Sequence, residues 1–118
     1  MDKRKGCAVH GVRRLIQDRA PGFCTTDAFV EGIREVARRG LPFELCIRSH
    51  ACPEQCADVL ELVRQVPEGV FILDHMGKPG VAARHFDPWA DFITRLAGFP
   101  NCYCTVSGLV TEASHPEW

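Results

Sequence analysis

Four short apolar runs recur along the chain with their centres about thirty residues apart, and that interval constrains the fold more than any other feature. They are Gly11 to Ile16, Phe43 to Arg48, Val70 to Asp74 and Cys102 to Ser107. Each is rich in β-branched or aromatic residues and bounded by Gly, Pro or polar residues, so each predicts a strand. The intervals carry helical periodicity. Thr26 or Asp27 can cap a helix through Arg38, with Phe29, Val30, Ile33, Val36 and Ala37 on one stripe and Gly40 as its stop. Pro53 suits a first helical position, followed by Val59, Leu60, Leu62, Val63 and Val66. Asp87-Pro88 repeats that start, with Trp89, Phe92, Ile93 and Leu96 as the apolar face and Gly98 as the end. The order is therefore β-α-β-α-β-α-β. Strands joined through helices form a parallel sheet with right-handed crossovers.

Two α/β architectures share this pattern. One is a small doubly wound sheet. The other is about four consecutive βα units of a (β/α)8 barrel, a fold that typically needs about 250 residues. The chain has 118 residues, opens almost directly on a strand, and stops at His115-Pro116-Glu117-Trp118, where a further helix is due. A complete small domain usually covers its last strand, so the expectation is a partial barrel: one partial domain over 1–118, with 1–9 as a disordered or unrelated start.

A net charge of −1 supplies no basic field for nucleic acid or an anionic membrane. No apolar run approaches the roughly 18 residues of a membrane helix. The opening Met-Asp-Lys-Arg-Lys-Gly-Cys has no apolar core behind it, unlike a secretory signal, and a cytoplasmic location is expected. Seven cysteines without export point to reduced thiols. Their spacings contain no Cys-x-x-Cys, and small buried apolar residues describe them better than metal ligands.

Chemistry gathers where parallel α/β folds bind ligands, at the carboxyl ends of the strands. Those ends supply Gln17 and Asp18; Arg48, Ser49 and His50; Asp74, His75, Gly77 and Lys78; and Ser107, Thr111 and Glu112. Strand alternation puts Arg13, Leu15 and Gln17 on one face, as it does Glu44, Cys46, Arg48 and His50, and Tyr103, Thr105 and Ser107. The strongest local signal is Asp74-His75-Met76-Gly77-Lys78-Pro79, in which an apolar strand delivers a carboxylate and an imidazole, a Gly turn presents a Lys, and Pro79 stiffens the exit. Such a histidine can bind a metal or act as acid or base; alternatively Asp74 caps the loop and His75 makes an ordinary hydrogen bond. Arg13 and Arg48 are candidate anchors for a carboxylate or hydroxyl-rich ligand, or else ion-pair with Glu44 or Asp18. His50 reads as a solvated loop residue and Trp89 as core. No Gly-x-Gly-x-x-Gly, Gly-Lys-Ser phosphate loop or Gly-x-Ser-x-Gly elbow occurs.

The segments Gly11-Val12-Arg13-Arg14-Leu15-Ile16-Gln17, Gly40-Leu41-Pro42-Phe43-Glu44-Leu45, Leu73-Asp74-His75-Met76-Gly77-Lys78-Pro79 and Tyr103-Cys104-Thr105-Val106-Ser107-Gly108-Leu109-Val110-Thr111-Glu112-Ala113 follow one another as in a single family. The chain resembles the amidohydrolase-related (amidohydrolase 2) proteins of the L-fuconolactonase and L-rhamnono-lactonase type, with pyrone-dicarboxylate lactonase a more distant cousin. The resemblance implies a (β/α)8 barrel that hydrolyses lactones of sugar acids or related small carboxylates, in some members with a divalent metal, often zinc. It implies that His75 contacts the metal or the substrate carbonyl, and that Arg13, Gln17, Arg48, Asp74 and Lys78 line the substrate site.

The departures are as informative. The family's first-strand His-x-His pair and its Asp in a Gly-Ser-Asp-Trp-Pro context do not occur here. Thr105 stands where the family commonly has Lys, and Gln55-Cys56 lies in an altered stretch. One histidine falls short of the roughly three protein ligands of a catalytic zinc. The expectation is a fragment that binds no metal and is inactive alone, or an interaction fragment that pairs with itself or with a full-length relative through unpaired sheet edges.

Overall fold

The structure is a computed structural model that describes residues 9–109 and 112. The four apolar runs form strands β1 (Val12–Leu15), β2 (Phe43–Cys46), β3 (Phe71–Leu73) and β4 (Cys102–Cys104), and the periodic stretches form helices α1 (Asp27–Arg38), α2 (Glu54–Gln65) and α3 (Trp89–Leu96). The Thr26 hydroxyl caps α1 by accepting from the Phe29 N–H at 3.3 Å. Pro53 and Pro88 stand immediately before their helices, with helical backbone angles. Gly40 follows α1 in the left-handed region at φ 68°.

All strand pairs are parallel and the sheet order is β1-β2-β3-β4. A doubly wound sheet reverses its strand order at a switch point; a sequential order does not. With right-handed crossovers, a sequential order puts every helix on the same side of the sheet. The core agrees. Phe43, Leu45, Ile47, Phe71 and Leu73 are buried in one cluster with Val30 and Ile33 of α1, Val59, Leu62 and Val63 of α2, and Phe92 and Leu96 of α3. Each such side chain contributes about 1.5–3 kcal/mol by leaving water. The alternate residues lie on the opposite face, in the register Arg13–Glu44–Ile72–Tyr103. There Leu15 is 40% and Tyr103 61% exposed. This is the face that a closed barrel turns inward.

The strands are shorter than the sequence predicts, because their last residues bond elsewhere. The Cys46 carbonyl accepts from both Ile16 and Gln17 N–H groups, at 3.2 and 2.9 Å. The Arg48 N–H turns to the Gln55 side chain at 2.9 Å. After Leu73 the backbone enters a left-handed turn. Thr111 and the residues 1–8 and 113–118 lie outside the described residues, so the expected start at 1–9 is represented only by Val9. Among the described residues no helix is long and apolar enough to cross a membrane.

The described thiols are free, with Cys24, Cys46 and Cys56 buried. Burial, followed by the charge of Asp58, pushes the Cys24 thiol from 9.0 to about 12. Burial likewise pushes Cys56 and Cys102 to about 11. These thiols stay protonated in the fold at a pH where the unfolded chain has begun to lose its protons, so stability falls with rising pH in that range. Their contribution is whole below pH 9 and is lost as the pH climbs through about 11 to 12. Urea midpoints should therefore decline above pH 9, with a shallower decline in Cys24→Ala; an unchanged slope would contradict the assignment. Leu45→Ala, at a fully buried sheet position, should cost about 2–5 kcal/mol in the same titration.

Candidate functional site

The carboxyl ends of the strands carry a connected set of polar side chains on the inward face. On β1, Arg13 lies between two carboxylates: its Nη1 is 3.3 Å from Asp74 Oδ2 and its Nε is 3.6 Å from Glu44 Oε2. Asp74 is nearly buried, at 6% exposure, and its other oxygen accepts from the Thr105 hydroxyl at 3.3 Å. A carboxylate withdrawn from water requires such partners. One turn above, Gln17 Oε1 accepts from Lys78 Nζ at 2.6 Å and from Cys46 Sγ at 3.4 Å. Arg48 stands apart, 3.5 Å from Asp18, with both side chains well exposed. Exposed pairs of this kind are worth about 0–1 kcal/mol.

The structure thus joins Arg13 to Asp74 and Gln17 to Lys78, and directs Arg48 to Asp18. The ion-pair alternative for both arginines is what the geometry contains. Their charges are already matched, whereas the Lys78 ammonium meets a neutral amide oxygen. His75 lies outside both clusters, and its Nδ1 is 3.0 Å from Ser107 Oγ. His50 packs edge-to-face on His85 with ring centroids 5.4 Å apart.

The turn that displays His75 and Lys78 is unusual. His75, Met76, Gly77 and Lys78 all have positive φ, between 53° and 74°. The sequence predicts that Gly77 alone carries the turn; three residues with side chains share it. Left-handed backbone costs about 1–2 kcal/mol for each non-glycine residue, so tertiary contacts must hold it. The Met76 N–H donates to the Thr105 carbonyl at 3.1 Å and the Ser49 N–H to the Gly77 carbonyl at 2.9 Å. The buried Ser49 hydroxyl donates to the Lys78 carbonyl at 3.1 Å, and Trp89 Nε1 donates to the Met76 carbonyl at 2.6 Å. Ser49, already among the strand-end residues, and Trp89, which periodicity assigns to the core, therefore hold the rim. Gln55 is a third: only 1% exposed, it bonds the ends of both β1 and β2. The altered stretch around Gln55-Cys56 was its only mark in the sequence.

Among the described residues no group of three or more His, Cys, Asp or Glu side chains is arranged to hold a metal ion. Asp74 is occupied by Arg13 and Thr105, and one ring nitrogen of His75 by Ser107. The donors present do not fit a zinc centre of the usual three protein ligands.

A sequential parallel sheet, helices on its outer side and polar side chains at its carboxyl rim define part of a (β/α)8 barrel. The comparisons with known proteins agree and go further. The amidohydrolase family model (Amidohydro_2) matches residues 5–118, and the chain belongs to that family. It is 30% identical over 108 residues to an L-fucono-1,5-lactonase of Burkholderia ambifaria, covering 91% of this chain and 36% of that protein. It superposes on a crystal structure of an amidohydrolase from Burkholderia multivorans with bound Zn, with a TM-score of 0.79 at 28% identity over 90% of this chain and 37% of the other. In a second crystal form of that amidohydrolase, with bound HEPES, the TM-score is 0.83 at 27% identity over 94% and 40% of the two chains. The chain thus spans little more than a third of the length of these relatives.

Gly108 tests how His75 is set. It has φ 68°, and a Cβ there would lie 2.6 Å from the His75 ring nitrogen Nδ1. Gly108→Ala should displace the imidazole and break its bond to Ser107, seen as shifted His75 ring resonances by NMR at fixed pH. Ser107→Ala should shift the same ring resonances without the backbone strain.

Proposed function

We propose that this chain is a piece of a lactonase of the amidohydrolase family, built to hold lactones of sugar acids or the small carboxylates they open to, and inactive by itself. The observation that supports the ligand class is the state of the rim cations. Arg13 is matched by Asp74 and Glu44, and Arg48 by Asp18, whereas Lys78 is held by the neutral amide of Gln17. Its charge remains available to an anion, and opening a lactone creates a carboxylate. Arg13 and Asp74 form the lower part of the rim, and Gln17, Arg48 and Lys78 orient the ligand's oxygens. His75 presents Nε2 to the ligand carbonyl, since Ser107 takes Nδ1. Water attack requires a proton acceptor beside it; Asp74, tied to Arg13 and Thr105, is poorly suited to that task. The bound Zn named for the Burkholderia multivorans amidohydrolase has no matching donor set among the described residues here, and no step is assigned to a metal.

A second reading rests on the sheet. Among the described residues β1 and β4 each pair on one side only, and the inward face exposes Leu15 and Tyr103. Strands from a second copy or from a full-length relative would cover both, making the chain an interaction or regulatory fragment.

Assays with L-fucono-1,5-lactone separate these readings. The chain alone, with or without added zinc, should leave the lactone at its spontaneous rate. Hydrolysis that His75→Ala abolishes would overturn the inactivity while upholding the site; hydrolysis that His75→Ala leaves intact would remove His75 from its role. In light scattering the chain should be larger than 13.2 kDa. A folded monomer at micromolar concentration would count against self-pairing.

A further inference from the structure

We infer that Gln55 is a positioning residue: its buried amide, in the first turn of α2, sets where Gln17 and Lys78 stand at the rim. This rests on the reading above that those two side chains meet the ligand. Oε1 accepts the Arg48 N–H at 2.9 Å. Nε2 faces the carbonyls of Ile16, Gln17 and Arg19 at 3.0, 3.2 and 3.3 Å. These partners leave one orientation for the amide, since a flipped group would oppose N–H to N–H and oxygen to three oxygens. An apolar residue would fill this space without desolvating an amide, so the packing of α2 does not explain a glutamine here.

Two routes run from Gln55 to Lys78. The first passes through β1: the Gln17 main chain is held by Gln55 on one side and the Cys46 carbonyl on the other, and its side chain takes the Lys78 ammonium. The second passes through β2: Gln55 fixes Arg48, and the next residue, Ser49, bonds the carbonyls of Gly77 and Lys78. Side chain and backbone of Lys78 are thus set from opposite sides by one amide. Gln55 itself does not touch the ligand, and a displacement of its amide of the order of 1 Å would reach Lys78 by both routes.

The test substitutes Gln55→Glu in the full chain, which keeps the shape and turns an oxygen toward three carbonyls. Gln55→Asn, an amide one methylene shorter, is read in the same way where the first variant does not fold. NMR follows the Lys78 side-chain signals and the Arg48 amide, and titration with L-fuconate gives affinity. The folded variant should shift both sets of signals and bind the acid about tenfold more weakly. Combined with Lys78→Met its loss should fall well below the sum of the two single losses, because much of its effect acts through Lys78. Leu60→Ala, lower on the same helix, should lower stability without changing affinity. Unmoved Lys78 and Arg48 signals in a folded variant, or losses that add in the double variant, would overturn the inference. If the wild-type chain binds no L-fuconate, the ligand reading fails instead, and the Lys78 and Arg48 signals alone decide whether Gln55 positions them.

Discussion

Everything in this chain depends on the packing of one face of a four-stranded parallel sheet against three helices. Phe43, Leu45, Phe71 and Leu73 supply the sheet side, and Val30, Ile33, Val59, Leu62, Phe92 and Leu96 the helix side. Because the order is sequential, all the apolar helix faces are spent on the same surface of the sheet. The opposite surface is left to a mixed set of side chains, and the carboxyl ends of all four strands come together at one rim. Polar groups converge at that rim, and among the described residues no helix lies above them.

The rim is held by main-chain geometry as much as by charge. Four successive residues with positive φ display His75 and Lys78. They stay so because Ser49, Trp89 and Thr105 bond the turn from three neighbouring elements. Asp74 is nearly buried and is matched by Arg13 and Thr105. No buried side-chain nitrogen or oxygen among the described residues lacks a partner. That completeness is expected of a preorganised site, in which each group is set before a ligand arrives.

The relation to the amidohydrolase family explains both the match and what is missing. The chain reproduces four consecutive units with TM-scores of 0.79 and 0.83 against solved relatives that it spans by 37 and 40%. A rim built by eight units draws its groups from all of them. The His-x-His pair and the Asp that characterise the family do not occur in this sequence. What the chain carries is four strand ends of such a rim, with Thr105 bonding Asp74 at a position where the family commonly has Lys.

Much of the fold was legible in the residues alone. Periodicity placed all four strands and three helices within a few residues, because burial on one face imposes a repeat of two or of 3.6 that local sequence must obey. The same alternation put Arg13 on the face where it meets Glu44, whereas Arg48 lies beyond β2 and turns to Asp18. The sequential strand order was legible as the partial-barrel expectation, and the sheet pairs as β1-β2-β3-β4; the hydrogen bonds that join separate elements were not. Nor were the roles of Ser49, Gln55 and Trp89, whose partners lie on other elements, or the left-handed backbone at His75, Met76 and Lys78, which tertiary hydrogen bonds impose against local preference. The sequence by itself determined the elements and the chemical character of the rim, because periodicity and side-chain type are local. Only the tertiary structure decided which rim cation meets no carboxylate among the described residues and which amide holds the strand ends, because pairing and hydrogen bonding join residues far apart in the chain.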